Sequence, residues 1–155
     1  MAYRTKLVMI MKIGNLAKAS GLSAHTLRYY EKSGLLTPKV RSEGNYRLYT
    51  DDDLATALFI KRCKSSGFSL EETRTLLQIK DDKATHVCAE AKSLTKEKIV
   101  SLKQQISDLQ QMVNTLQELE QYCCGGQKSA EFCSIISKLE GKVDAPRHQH
   151  ASKES

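Results

Sequence analysis

No run of eighteen apolar residues occurs anywhere in the 155-residue chain, so the sequence contains no membrane-spanning helix. The short apolar stretch Leu7–Met11 is likewise too brief for the core of a signal peptide. Also missing are a Cys-x-x-Cys pair, a Ser/His/Asp order, a glycine-rich phosphate loop and a paired-carboxylate pocket, which argues against thiol, hydrolytic and nucleotide-dependent enzymes. The expected location is the cytoplasm, where thiols stay reduced and cysteines meet metals or redox partners more readily than permanent disulfides. Five cysteines in such a chain need a reason.

The net charge of +6 is unevenly distributed. Through Lys80 there are 14 basic and 7 acidic residues, whereas the remainder holds 10 basic and 11 acidic. The N-terminal half is therefore the half suited to a polyanion.

Residues 1–10 read as an N-terminal extension, with Met9 and Met11 as alternative starts and the structured pattern beginning at Lys12. Residues 11–80 read as a winged helix-turn-helix domain. Two short amphipathic stretches are separated by Gly21, and Ser23 stands as N-cap of a second helix over Ala24–Lys32, which Gly34 terminates. Pro38, the Glu43-Gly44-Asn45 turn and the flanking Val40, Tyr46, Leu48 and Tyr49 predict a hairpin, the wing. Thr50 and three aspartates open a helix over Asp51–Lys64; after Gly67, Ser69 caps another, with Leu70, Leu76, Leu77 and Ile79 on its apolar face. Thr26, Arg28 and Tyr29 on the second helix, with Arg41, Tyr46, Arg47 and Tyr49 on the wing, combine cations for phosphate with planar groups for sugar or base. Together with the helix-turn-helix spacing, they point to double-stranded DNA.

From residue 84 to residue 124 neither glycine nor proline occurs, and Ile99, Leu102, Ile106, Leu109, Val113 and Leu116 recur in steps of three and four. This predicts one long dimerisation helix over residues 81–124 with a narrow apolar seam that needs a partner helix, hence a homodimer. Gly125-Gly126 ends it, residues 125–140 form a loop and a short helix around Phe132 to Leu139, and residues 141–155 have the composition of a disordered tail.

The motifs LRYYEKSGLL, RSEGNYRLYT followed by acids, and GFSLEE, in that order between Ile13 and Leu77, resemble the MerR family of bacterial regulators. The resemblance implies a mainly α fold: a winged helix-turn-helix, a long antiparallel coiled coil joining two subunits, and a C-terminal effector loop. It also implies a dimer on promoter DNA that distorts an over-long spacer when effector binds, so that RNA polymerase is engaged indirectly through the promoter.

The cysteines then acquire a geometry. Cys88 and Cys123 are five heptads apart, and an unbroken helix would separate them by roughly 52 Å, too far to ligate one ion within a chain. In the antiparallel dimer that the resemblance implies, Cys88 of the partner subunit meets Cys123 and Cys124, and the metal site bridges subunits. Cys133 joins if residues 125–132 form a loop closed by the metal. Thiolates favour zinc, cadmium, lead, mercury and monovalent copper, and three thiolates suit a divalent ion. Cys88 together with Cys-Cys-Gly-Gly and Cys133 looks most like the family's zinc-responsive branch, so Zn(II) leads, with Cd(II) and Pb(II) as competitors. That branch carries a histidine where this chain has Lys128, which leaves one ion on Cys123, Cys133 and Cys88 as the expectation, with Cys124 as a further candidate ligand. A metal-responsive activator of an efflux gene is the reading that results; the alternatives are a Cd(II), Pb(II) or Hg(II) sensor, or a thiol redox sensor. His86 is read as solvated or supporting a ligand, Cys63 as a packing residue, and His148 and His150 as forming no defined site.

Overall fold

A computed structural model of the chain describes residues 9–123, 125–127, 129, 131 and 133–142. The element order is α1 (Ile13–Ser20), α2 (Ala24–Lys32), β1 (Val40–Arg41), β2 (Arg47–Leu48), α3 (Asp51–Ser65), α4 (Leu70–Asp81), α5 (Cys88–Gln121) and α6 (Ser134–Leu139). Two units divide at Lys98 and Ile99.

In the first unit, the turn between α1 and α2 depends on Gly21, whose φ of 66° is left-handed. A Cβ there would come within 2.8 Å of Lys61 Nζ, which donates to the Ser20 carbonyl at 2.9 Å. A side chain at position 21 would therefore be strained and crowded at once. Ser23 accepts the Thr26 amide at 3.0 Å, the cap expected from sequence. Reciprocal capping boxes open α3, through Thr50 and Asp53, and α4, through Ser69 and Glu72.

The core is assembled from the four helices α1 to α4 and the segments between them: Leu16 of α1, Leu27 and Tyr30 of α2, Ala57 and Ile60 of α3 and Leu77 of α4, with Leu36 and Tyr49 from the connections on either side of the wing. Each fully buried leucine or isoleucine among them contributes about 1.5–3 kcal/mol relative to exposure. Ordered packing begins earlier than Lys12. Met11 is buried and exchanges backbone hydrogen bonds with Tyr49 at 2.8 and 2.9 Å, adding a bridge to the base of the wing. Residues 1–8 of the expected extension lie outside the described residues. On α4, Leu77 and Thr73 are the buried positions, while Leu70, Leu76 and Ile79 are half-buried.

The wing is shorter than its flanking residues suggested: β1 and β2 pair antiparallel over two residues each, Val40 with Leu48 and Arg41 with Arg47. The left-handed position in its turn is taken by Asn45, at φ 61°, rather than by Gly44. Asn45 is one of the few side chains that tolerate this conformation.

The long helix begins at Cys88 instead of residue 81, because Lys83–Thr85 form a turn and Glu90 caps the helix start by accepting the Val87 amide at 3.1 Å. It ends at Gln121, ahead of the paired glycines. The amides of Tyr122 and Cys123 bond three residues back, to Leu119 and Glu120, tightening the last turn before Gly125 takes a left-handed φ of 65°. All six seam residues are solvent-facing, from Leu102 at 37% exposed to Ile106 at 67%. Lys98 at the near end of α5 pairs with Glu72 of α4 at 2.8 Å and holds that carboxyl below its ordinary range. In the second unit, Leu119 and Ser134 are buried, and the Lys138 ammonium of α6 sits 3.6 Å from the centre of the Tyr122 ring, a cation–π contact at the end of α5. Among the described residues no helix is long and apolar enough to cross a membrane.

Candidate nucleic-acid interface and metal centre

The helix-turn-helix scaffold brings α2 and the wing to one face. Arg28, Arg41, Tyr46 and Arg47 line a common concavity with Lys12, Ser42 and Asn45. Arg28 and Tyr29 of α2 are exposed, as are Arg41, Tyr46 and Arg47 of the wing; Tyr46 is the most open of the described tyrosines, at 75%. The arginines 41 and 47 stand directly opposite each other across the two-stranded wing. Like charges so placed destabilise a bare hairpin and are relieved by a bound anion. Arg41 is steadied by Nη1 donating to Asn45 Oδ1 at 3.1 Å. Thr26 is half-buried at the start of α2, where its hydroxyl shares a 2.8 Å hydrogen bond with Ser23.

Tyr49 departs from the surface role expected of it. It is 1% exposed, its ring belongs to the core, and its hydroxyl donates to Glu31 Oε1. Burial first, then this bond to a carboxylate, push its phenol well above the ordinary range, so it stays a neutral donor at any working pH. The other oxygen of Glu31 lies 3.0 Å from Arg47 Nε. Sequence reasoning overlooked Glu31. Its signal was an acid in the last turn of an otherwise basic helix, where the helix dipole disfavours negative charge.

At the C-terminal end of α5, α6 brings Cys133 beside Cys123; both are half-buried. Cys133 is the N-cap residue of α6. Although its sulfur makes no full cap hydrogen bond, the Ile136 amide foremost, then the Ile135 amide and the Cys123 thiol, favour its thiolate and lower its pKa. A pair of adjoining soft donors, one with its charged form favoured, fits a thiophilic metal ion. Cys88 is exposed at the first position of α5. Among the described residues no three His, Cys, Asp or Glu side chains converge. Cys124, Lys128, Phe132, His148 and His150 lie outside the described residues. His86 is committed to Glu90, with Nδ1 2.7 Å from Oε2, and that contact lowers the Glu90 pKa. Cys63 is buried in the helical core, and burial raises its thiol pKa.

A recognition helix flanked by a basic two-stranded wing, followed by a long helix with an exposed apolar seam, defines a DNA-binding regulator and not an enzyme. The chain belongs to the MerR family of regulators: residues 11–80 match the MerR HTH family regulatory protein and residues 54–119 the MerR, DNA binding family. It is 42% identical to the HTH-type transcriptional regulator ZntR of Escherichia coli (strain K12), over 83% of this chain and 92% of that protein. It is 38% identical to the regulator CueR of Salmonella typhimurium, over 88% of this chain and all of that protein. Among solved structures it is similar to the transcription regulator PbrR691 from Ralstonia metallidurans CH34 in complex with lead(II), with a TM-score of 0.76 and 33% identity over 83% of this chain and 98% of that one. Regulators of this family bind promoter DNA as dimers.

Proposed function

We propose that the chain is a cytoplasmic, metal-responsive transcriptional regulator that sits on promoter DNA as a homodimer and activates transcription, in the setting of metal efflux, when a divalent ion binds. Zn(II) is the leading ion, supported by the likeness to ZntR at 42% identity; Cd(II) and Pb(II) are the competitors, and PbrR691 was crystallised with lead(II). The observation that carries the reading is the meeting of Cys123 and Cys133 at one end of α5 while Cys88 occupies its other end. A 34-residue helix intervenes, so an ion held by Cys123 and Cys133 takes Cys88 of the partner subunit, in an antiparallel pairing of the α5 seams. Three thiolates bring a total charge suited to a divalent ion, and the low-pKa Cys133 loses little on deprotonation. In the same reading, Arg28, Tyr29 and Thr26 belong to the recognition helix in the major groove, and Arg41, Tyr46 and Arg47 grip the backbone from the wing. Tyr49 serves by holding the wing's base.

The test is transcription from the promoter the protein occupies, titrated separately with zinc, cadmium, lead, mercury and copper. Cys88→Ser should abolish the response to divalent ions without preventing DNA binding. An unchanged response in that variant sinks the bridging site, and induction by peroxide with no metal dependence replaces the reading with a redox one.

A further inference from the structure

The least expected group at the DNA-facing surface is a carboxylate. Glu31 occupies the last turn of α2, where the helix carbonyl ends already concentrate negative charge, and its side chain is only 9% exposed. A carboxylate so placed is costly unless compensated. Both compensating groups come from the wing. Tyr49, anchored in the core and paired through its backbone to Met11, donates its hydroxyl to Oε1. Arg47 presents Nε to Oε2 at 3.0 Å while its side chain stays 56% exposed. An arginine bound through Nε keeps the outer edge of its guanidinium for a second acceptor. Arg28, Lys32 and Arg41 surround the same cleft, so the acid lies beneath a basic surface rather than in front of it.

We infer that Glu31 is a positioning residue of the DNA interface: it locks the wing to the recognition helix and aims the outer edge of Arg47 at a backbone phosphate. Helix and wing then meet the duplex as one body, with the ordering of the wing arginine completed before binding. The inference rests on the DNA-binding reading above and adds to it the residue that fixes the angle between its two parts.

The experiment is a double-mutant cycle on the full chain, with a duplex that the unaltered protein recovers from a random-sequence pool as probe. Fluorescence anisotropy gives affinity over a potassium chloride series, and circular dichroism gives Tm. Arg47→Ala should lower the salt slope by about 0.9 per lost phosphate contact, hence about two per dimer. Glu31→Ala should weaken binding on the order of tenfold, lower the slope by a similar amount, and add nothing further in the Glu31→Ala/Arg47→Ala double variant. Glu31→Gln, which keeps an acceptor for Tyr49 and a neutral one for Arg47, should fall between. If Glu31→Ala does not fold, Glu31→Gln carries the same cycle. Additive effects, or a lower Tm with an unchanged salt slope, would reduce Glu31 to a support of the fold. Tighter binding on removing the acid would mean that it merely repels phosphate, and would overturn the inference. Failure of the unaltered chain to recover any duplex would instead overturn the DNA-binding reading, and this inference with it.

Discussion

Replacing Leu109 by asparagine tests the dimer at the position where sequence and structure meet most directly. Leu109 lies mid-seam on α5 and is 60% exposed in the single chain. Full burial of a leucine is worth about 1.5–3 kcal/mol, so burying the exposed portion against a partner helix contributes about 1–2 kcal/mol. Two-fold symmetry counts the change twice, about 2–4 kcal/mol per dimer, which corresponds to a roughly 30- to 700-fold weaker self-association. Gln111→Ala, on the opposite side of the heptad, should leave the association constant within a small factor of the parent. Sedimentation equilibrium over a concentration series measures both, with circular dichroism to verify that helix content is retained. DNA affinity should fall in parallel with dimer dissociation. A monomeric parent protein at micromolar concentration, or a Leu109→Asn variant that associates as tightly as the parent, would refute the assignment of the seam as the subunit contact.

The remaining predictions concern the thiols and a helix cap. Because the folded pKa of Cys133 is depressed, chiefly by the Ile136 amide, its thiolate persists as pH falls below the ordinary thiol range. Its contribution to stability is present above the unfolded pKa and lost as pH drops through the folded value. In metal-free protein, iodoacetamide should therefore modify Cys133 to lower pH than it does in denaturant, as followed by peptide mass spectrometry; coincident profiles would remove the claim. Cys63, buried and with its pKa raised, should resist the reagent until the protein unfolds. Thr50→Ala removes the side-chain acceptor of the Asp53 amide and half of the capping box that opens α3. It should cost about 1 kcal/mol, seen as a Tm lower by roughly 4–8 °C for a domain of this size.

Much of this is legible in the sequence, because the signals are local. Ser23, Thr50 and Ser69 announce helix starts by a hydrogen bond spanning three residues, and Gly21 announces a turn by a backbone conformation few other residues adopt. The α5 seam is a periodicity, and the CCGG run with Cys133 is a spacing. Helix ends were less legible. Glu90 decides the start of α5 by capping Val87, and the tightened turn at Tyr122 and Cys123 ends it ahead of the glycines, since competing side-chain acceptors and terminal hydrogen bonds do not follow the heptad.

Local signals along the chain set the order of elements and the chemical character of two groups of residues, one basic and aromatic, the other thiol-bearing. Which side of the surface each residue occupies is a property of the folded chain. Tyr49 looked like Tyr46 in the pattern, yet one belongs to the core and the other to solvent. Glu31 looked like an ordinary helix-surface acid, yet it joins α2 to the wing. Cys133, ten residues from Cys123 in the chain, lies beside it because α6 packs at the end of α5. The physical reason is common to all three. Capping, turn formation and amphipathic periodicity act within a few residues, whereas burial and charge pairing depend on segments that only folding brings together.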